Sequence, residues 1–229
     1  MTVHALVLAG GTGTRFGATT PKQLLDLEGS TVLSHAVRRL AAHPGIDCIV
    51  LVTHAESARE AHRIAVAEAK VVAVVEGGRT RADSTRLGLA AVPGLADDDV
   101  VLVHDAARPL VTDTIVDACL HALDEHDAVT PAVDVVDTLV EVDDAGVILR
   151  GVDRRSVRRV QTPQAFRAGV LRQAHAAAAG EDAEPTDDCG VVLAHVPGAS
   201  VAVVPGDERN LKITRPADLD LARRWLAED

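Results

Sequence analysis

Apolar residues along this chain fall into two alternating rhythms. Short, near-continuous runs at Val3 to Leu8, Ile46 to Thr53, Val71 to Val75, Val100 to Val103, Ala128 to Val133 and Val201 to Val204 have the length of strands covered on both faces. Other segments carry apolar residues at helical spacing. They are Thr31 to Ala42 behind a cap at Thr31 or Ser30, Glu56 to Ala69, Thr112 to Leu123 behind Thr112 or Asp113, Arg167 to Ala179, a helix that includes Val191 to His195, and Pro216 to Ala227. This alternation predicts an α/β fold, a Rossmann-like, open, mostly parallel sheet with right-handed crossovers and helices on both faces.

The rhythm breaks over residues 134–156. Two short β-branched runs, Thr138 to Val142 and Val147 to Leu149, flank the turn Asp143-Asp144-Ala145-Gly146 without a helix between them, which reads as a projecting β-hairpin arm. Such an arm is marginal alone and needs a partner surface. No repeat or interdomain linker divides the chain, so residues 1–229 are expected to form one domain.

Composition narrows the chemistry. With 229 residues, 47% hydrophobic content, two Phe and one Trp, the core must be filled by Val, Leu, Ile and Ala. A net charge of −11 argues against nucleic acid or an anionic membrane as partner, so basic residues near glycine loops read as ligand groups. Cys48, Cys119 and Cys189 lack C-x-x-C spacing and suit reduced core thiols of a cytoplasmic protein. The amino-terminal segment has no charged region followed by a long apolar stretch, and no run approaches about 18 apolar residues, so neither export nor membrane spanning is expected. Of ten histidines none falls in a metal-ligand spacing; His104 alone stands beside candidate chemistry.

That chemistry begins after the first strand. In Ala9-Gly10-Gly11-Thr12-Gly13-Thr14-Arg15, three glycines within four positions let backbone N–H groups approach phosphate oxygens, and Arg15 and Lys22 add a planar fork and a point charge suited to a triphosphate. A tight strand-to-helix connection would have a similar glycine content. The dinucleotide fingerprint fails on spacing, because Gly11, Gly13 and Gly17 are one residue too far apart. Gly77-Gly78-Arg79-Thr80-Arg81 repeats the glycine logic, with a capped helix start as the alternative. Asp105, ending the strand Val100 to Val103, is placed to hold Mg²⁺ against phosphates or, alternatively, to form a buried ion pair with an arginine. Lys212, between Leu211 and Ile213, is disfavoured in a core without a partner and is expected to face an anion.

Six signatures, in order over nearly the whole chain, resemble the cytidylyltransferases that act on alditol phosphates. They are G-G-x-G-x-R with Pro-Lys seven positions after the Arg, G-G-x-x-R-x-x-S at 77–84, H-D-A-A-R-P at 104–109, T-P-Q-x-F at 162–166, T-D-D at 186–188 and N-x-K-x-T at 210–214. The resemblance implies transfer of CMP from CTP to an alditol phosphate with Mg²⁺, in a homodimer joined through the arm. It implies catalytic roles for Arg15, Lys22 and Lys212, and CTP contacts from Ala9, Gly10, Gly11, Gly13, Gly78, Arg81, Ser84 and Ala106. Asp105, Arg108, Thr162 and Thr186, with Thr138 and Arg154 reaching across the dimer, are implied for the acceptor, and Asp105 also for the metal.

Two branches compete for the acceptor. H-D-A-A-R-P and T-R-P-x-D-L are similar to enzymes of 2-C-methyl-D-erythritol 4-phosphate, whereas Leu8-Ala9-Gly10-Gly11 is more similar to those of D-ribitol 5-phosphate, and Asp188-Cys189-Gly190 departs from the usual D-D-A-S. A nucleotide-binding paralogue without turnover is the other class; its mark, loss of a charged site residue, is absent at Arg15, Lys22, Asp105, Arg108 and Lys212.

Overall fold

The computed structural model describes residues 1–10, 20–180 and 186–228. Its elements in chain order are β1 (Val3–Ala9), β2 (Asp26–Leu27), β3 (Ser30–Thr31), α1 (Val32–Ala42), β4 (Cys48–Thr53), α2 (Ala55–Ala67), β5 (Val71–Glu76), α3 (Arg81–Ala90), β6 (Val100–Asp105) and α4 (Asp113–Ala122). There follow β7 (Ala128–Asp134), β8 (Leu139–Val142), β9 (Ile148–Val152), β10 (Arg158–Val160), β11 (Gln164–Arg167), α5 (Ala168–Ala177), α6 (Asp188–His195), β12 (Val201–Pro205) and α7 (Pro216–Leu226).

The main sheet runs β5-β4-β1-β6-β11-β7-β12, with β10 alongside β7 beyond the end of β11. Strands β1, β4, β5 and β6 are parallel, β12 is parallel to β7, and β11 is antiparallel to both of its neighbours. Period-two alternation sends Ala5 and Val7 of β1 to one face, where they pack with Leu33, Val37 and Leu40 of α1, Ile64 of α2 and Ile115 of α4. Leu6 points to the other, against Leu89 of α3, Leu171 of α5 and Val192 of α6. Helix starts use local donors: the Thr31 side chain accepts from Ser34 N at 3.1 Å, and that of Thr112 from Ile115 N at 3.4 Å.

The apolar pattern marks no strand between the hairpin and the helix at Arg167, yet Gln164–Arg167 is the strand β11 in the middle of the sheet. Its sequence hides this because it opens on a glutamine, whose fully buried side chain is satisfied by distant groups: Gln164 Nε2 donates to Thr130 Oγ1 at 3.1 Å and Asp187 Oδ2 at 2.7 Å. Strand β10, arginine-rich, was also not anticipated. The hairpin is present as β8 and β9, antiparallel from Leu139 opposite Val152, with Val140, Val142, Val147, Ile148 and Leu149 exposed. Cys119 and Cys189 are buried thiols, and burial pushes Cys119 up to about 12. Among the described residues no helix is long and apolar enough to cross a membrane.

Candidate active site

From β1 the chain crosses to β4 and β5 on one side, then returns to β6 on the other. The carboxyl ends of β1 and β6 therefore flank a topological switch point, where ligands bind in such sheets. A cavity of about 330 Å³ opens there, lined among others by Ala9, Gly10, Lys22, Gly78, Arg81, Ser84, Asp105, Ala106 and Lys212. Nine expected site positions from five separate stretches thus share one wall. Gly11, Gly13 and Arg15 lie outside the described residues.

Local chemistry sets each wall. Pro21 precedes a single helical turn, Lys22–Leu24, and Gln23 ties it to the first loop by donating to Ala9 O at 2.8 Å. On the second loop, Thr80 and Asp83 form a capping box that starts α3 and puts Arg81 in its first turn. A Cβ on Gly78 would overlap that of Asp83, so this loop can close only with glycine. Ser84 Oγ accepts from Gly78 N at 3.2 Å and donates to Thr80 O at 3.0 Å, holding the loop against the helix.

Charge in the cavity is alternating. Lys212 Nζ lies 2.7 Å from Asp105 Oδ2, Arg81 Nε 3.7 Å from Asp105 Oδ1, and Arg81 Nη1 donates to Asp188 Oδ2. Beyond it, Asp188 Oδ1 meets His175 Nε2 at 2.9 Å, both side chains being almost wholly buried. Burial works against ionisation of Asp105, but Lys212 and then Arg81 outweigh it and hold its carboxyl well below the usual range. Asp188 shows the same balance, with Arg81 and His175 outweighing burial. Burial likewise opposes the Arg81 charge, and Asp188 followed by Asp105 more than offsets it.

The remaining expected residues lie off this wall. Arg108 is buried beside it, donating to Asn210 O at 2.7 Å and Val160 O at 3.4 Å. Thr162 Oγ1 accepts from Asp105 N at 3.0 Å and meets His104 Nδ1 at 3.2 Å, so it fixes the end of β6. Thr138 and Thr186 are exposed, and Arg154 donates to Val136 O at 2.6 Å at the base of the arm. Sequence reasoning missed His54, Gln23, Arg79 and Thr80 in the lining, and Asp188 with His175 behind it. For His54 a signal existed: it follows β4 directly, at the ligand-binding end of a parallel strand.

A glycine-lined, cation-walled cavity at the switch point of this sheet defines a nucleotidyltransferase. Residues 3–228 match the model of the IspD family, 2-C-methyl-D-erythritol 4-phosphate cytidylyltransferase, and the chain belongs to that family. It is 46% identical over 98% of its length to the 2-C-methyl-D-erythritol 4-phosphate cytidylyltransferase of Thermobifida fusca, covering 93% of that protein. A bifunctional ribulose 5-phosphate reductase/CDP-ribitol pyrophosphorylase from Haemophilus influenzae is 36% identical over 95% of the chain, which covers 46% of that protein. Among solved structures, the 2-C-methyl-D-erythritol 4-phosphate cytidylyltransferase of Thermus thermophilus superposes with a TM-score of 0.78 at 34% identity, each chain covered completely. The synthase from Anaerococcus prevotii reaches 0.86 at 26% identity, with 99% of this chain and 98% of that chain covered.

Proposed function

We propose that this protein transfers CMP from CTP to 2-C-methyl-D-erythritol 4-phosphate in the cytoplasm, releasing pyrophosphate. The observation that carries the reading is the convergence of Gly10, Gly78, Lys22, Lys212 and Asp105 on one cavity. The acceptor is a phosphate monoester with a second pKa of about 6, so it is a dianion at neutral pH and needs no general base. One of its oxygens attacks the α-phosphorus as the bond to the bridging β-phosphate oxygen breaks, and the electron pair leaves with pyrophosphate. Catalysis is then positioning and charge stabilisation.

Lys22, Lys212 and Arg15 serve the triphosphate and its transition state; the Asp105 carboxylate keeps Lys212 at the cavity wall before substrate arrives. Gly78 and Ser84 present the second loop to cytosine. Asp105, Arg108, Thr162 and Thr186 serve the acceptor, joined by Thr138 and Arg154 from the arm of a second copy. No three metal-ligating side chains converge among the described residues. A lone carboxylate suits Mg²⁺, which takes one or two carboxylates and completes its shell with phosphate oxygens and water. Asp105 would hold it, and the ion would neutralise phosphate charge when bound.

The test is pyrophosphate release by the purified chain with CTP and Mg²⁺, run separately with 2-C-methyl-D-erythritol 4-phosphate and D-ribitol 5-phosphate. Turnover with the first alone is expected. Turnover with the second alone would overturn the acceptor assignment, and no release with either would overturn the reaction.

A further inference from the structure

His54 follows β4, the strand between those that carry the two glycine loops. It is the N-cap residue of α2, yet its side chain makes no capping bond, and its imidazole has no hydrogen bond or ion pair among the described residues. The ring lines the same cavity as Lys22, Ser84 and Asp105. Its Nε2 lies 2.9 Å from where a Cβ on Gly10 would stand, and its Cε1 lies 3.3 Å from the corresponding point on Gly77. Ser84 Oγ is 2.9 Å from that same point on Gly77, so imidazole and hydroxyl flank one glycine. The missing side chains at positions 10 and 77 therefore make room for this ring.

We infer that His54 is a nucleotide-contacting residue that hydrogen-bonds the nucleoside half of CTP. The inference rests on the proposed function, which sets the triphosphate at the first loop with Lys22 and the base at the second with Ser84. A nucleotide spanning the two loops passes over the strand between them, where His54 offers the polar ring atom left without a protein partner. An imidazole left polar and idle at this position costs desolvation when the cavity fills unless the ligand supplies its partner.

The test is calorimetric titration of the full chain with CMP and with CTP. One neutral hydrogen bond to a ligand is worth about 3–10-fold in affinity. His54→Ala is expected to weaken CMP and CTP by that same factor, whereas Lys22→Ala weakens CTP by a larger factor than CMP. Wild-type affinity for CMP in a folded His54→Ala variant overturns the inference. If the wild-type chain binds neither nucleotide, the proposed function falls with it.

Discussion

The cavity and the arm both display arginines on short elements, but they hold them differently. In the cavity, Arg81 is fixed by Asp188, 107 positions along the chain, and Lys212 by Asp105, also 107 positions away. On the arm, Arg155 bonds Asp153 two residues off and Arg150 bonds Glu141 nine off, in full solvent. Long-range pairs under partial burial are ordered by the packing of whole helices and strands, whereas local exposed pairs contribute little and order only their own turn. The cavity is preorganised by the fold; the arm is a lone hairpin that leaves five aliphatic side chains exposed.

Substitutions separate the two regions. The largest effect is expected from Asp188→Asn, which removes the nearer of the two carboxylates that offset the buried Arg81 charge and leaves Asp105 at 3.7 Å; it should cost about 3–5 kcal/mol of stability, read by urea denaturation. A change below about 1 kcal/mol would mean that Asp105 alone anchors Arg81. Lys22→Ala comes next, expected to lower turnover by about 10²–10³ (~3–4 kcal/mol) at unchanged melting temperature. Near-normal turnover would remove Lys22 from the transition state.

Acid is expected to act on the cavity region and not on the arm. Burial holds the His104 pKa down from 6.5 to about 4, where its ring faces Arg108 O and Thr162 Oγ1. The unfolded chain therefore takes the proton first. Stability from this group is complete above pH 6.5 and is lost as pH falls from 6.5 towards 4, by about 3 kcal/mol in all. Asp105 and Asp188, whose pKa values are depressed, contribute their own loss only below the ordinary carboxylate value of 3.8. Denaturation midpoints of wild type and His104→Asn at pH 7 and pH 4.5 check this: the variant should show the flatter profile. The smallest effect is expected on the arm, where Ile148→Asp should weaken self-association by about 30-fold, equivalent to one interface anchor of ~2 kcal/mol, with the melting temperature of the main sheet unmoved. Sedimentation at graded concentration measures it, and an unshifted profile would take Ile148 out of any dimer contact.

By itself the sequence determined whatever depends on neighbours in the chain. Apolar runs marked β1, β4, β5, β6, β7 and β12; for β1, β4 and β6 the reason is that a strand covered on both faces must be apolar throughout its length. Glycines and lysines marked the cavity lining, Gly10, Gly78, Lys22 and Lys212 among it, because backbone approach and fixed charge are properties of the residue types themselves. Only the tertiary structure decided what depends on partners far apart in the chain. It made a central strand of Gln164–Arg167, satisfying a buried glutamine with Thr130 and Asp187. It turned Arg108 to two backbone carbonyls, and joined His175 and Asp188 to Arg81 behind the cavity wall. It also brought His54 between two glycines that sit 67 positions apart, Gly10 and Gly77 (77 minus 10). None of these pairings has a local period or spacing to betray it, since each is set by which strands and helices lie side by side once the sheet has closed its core.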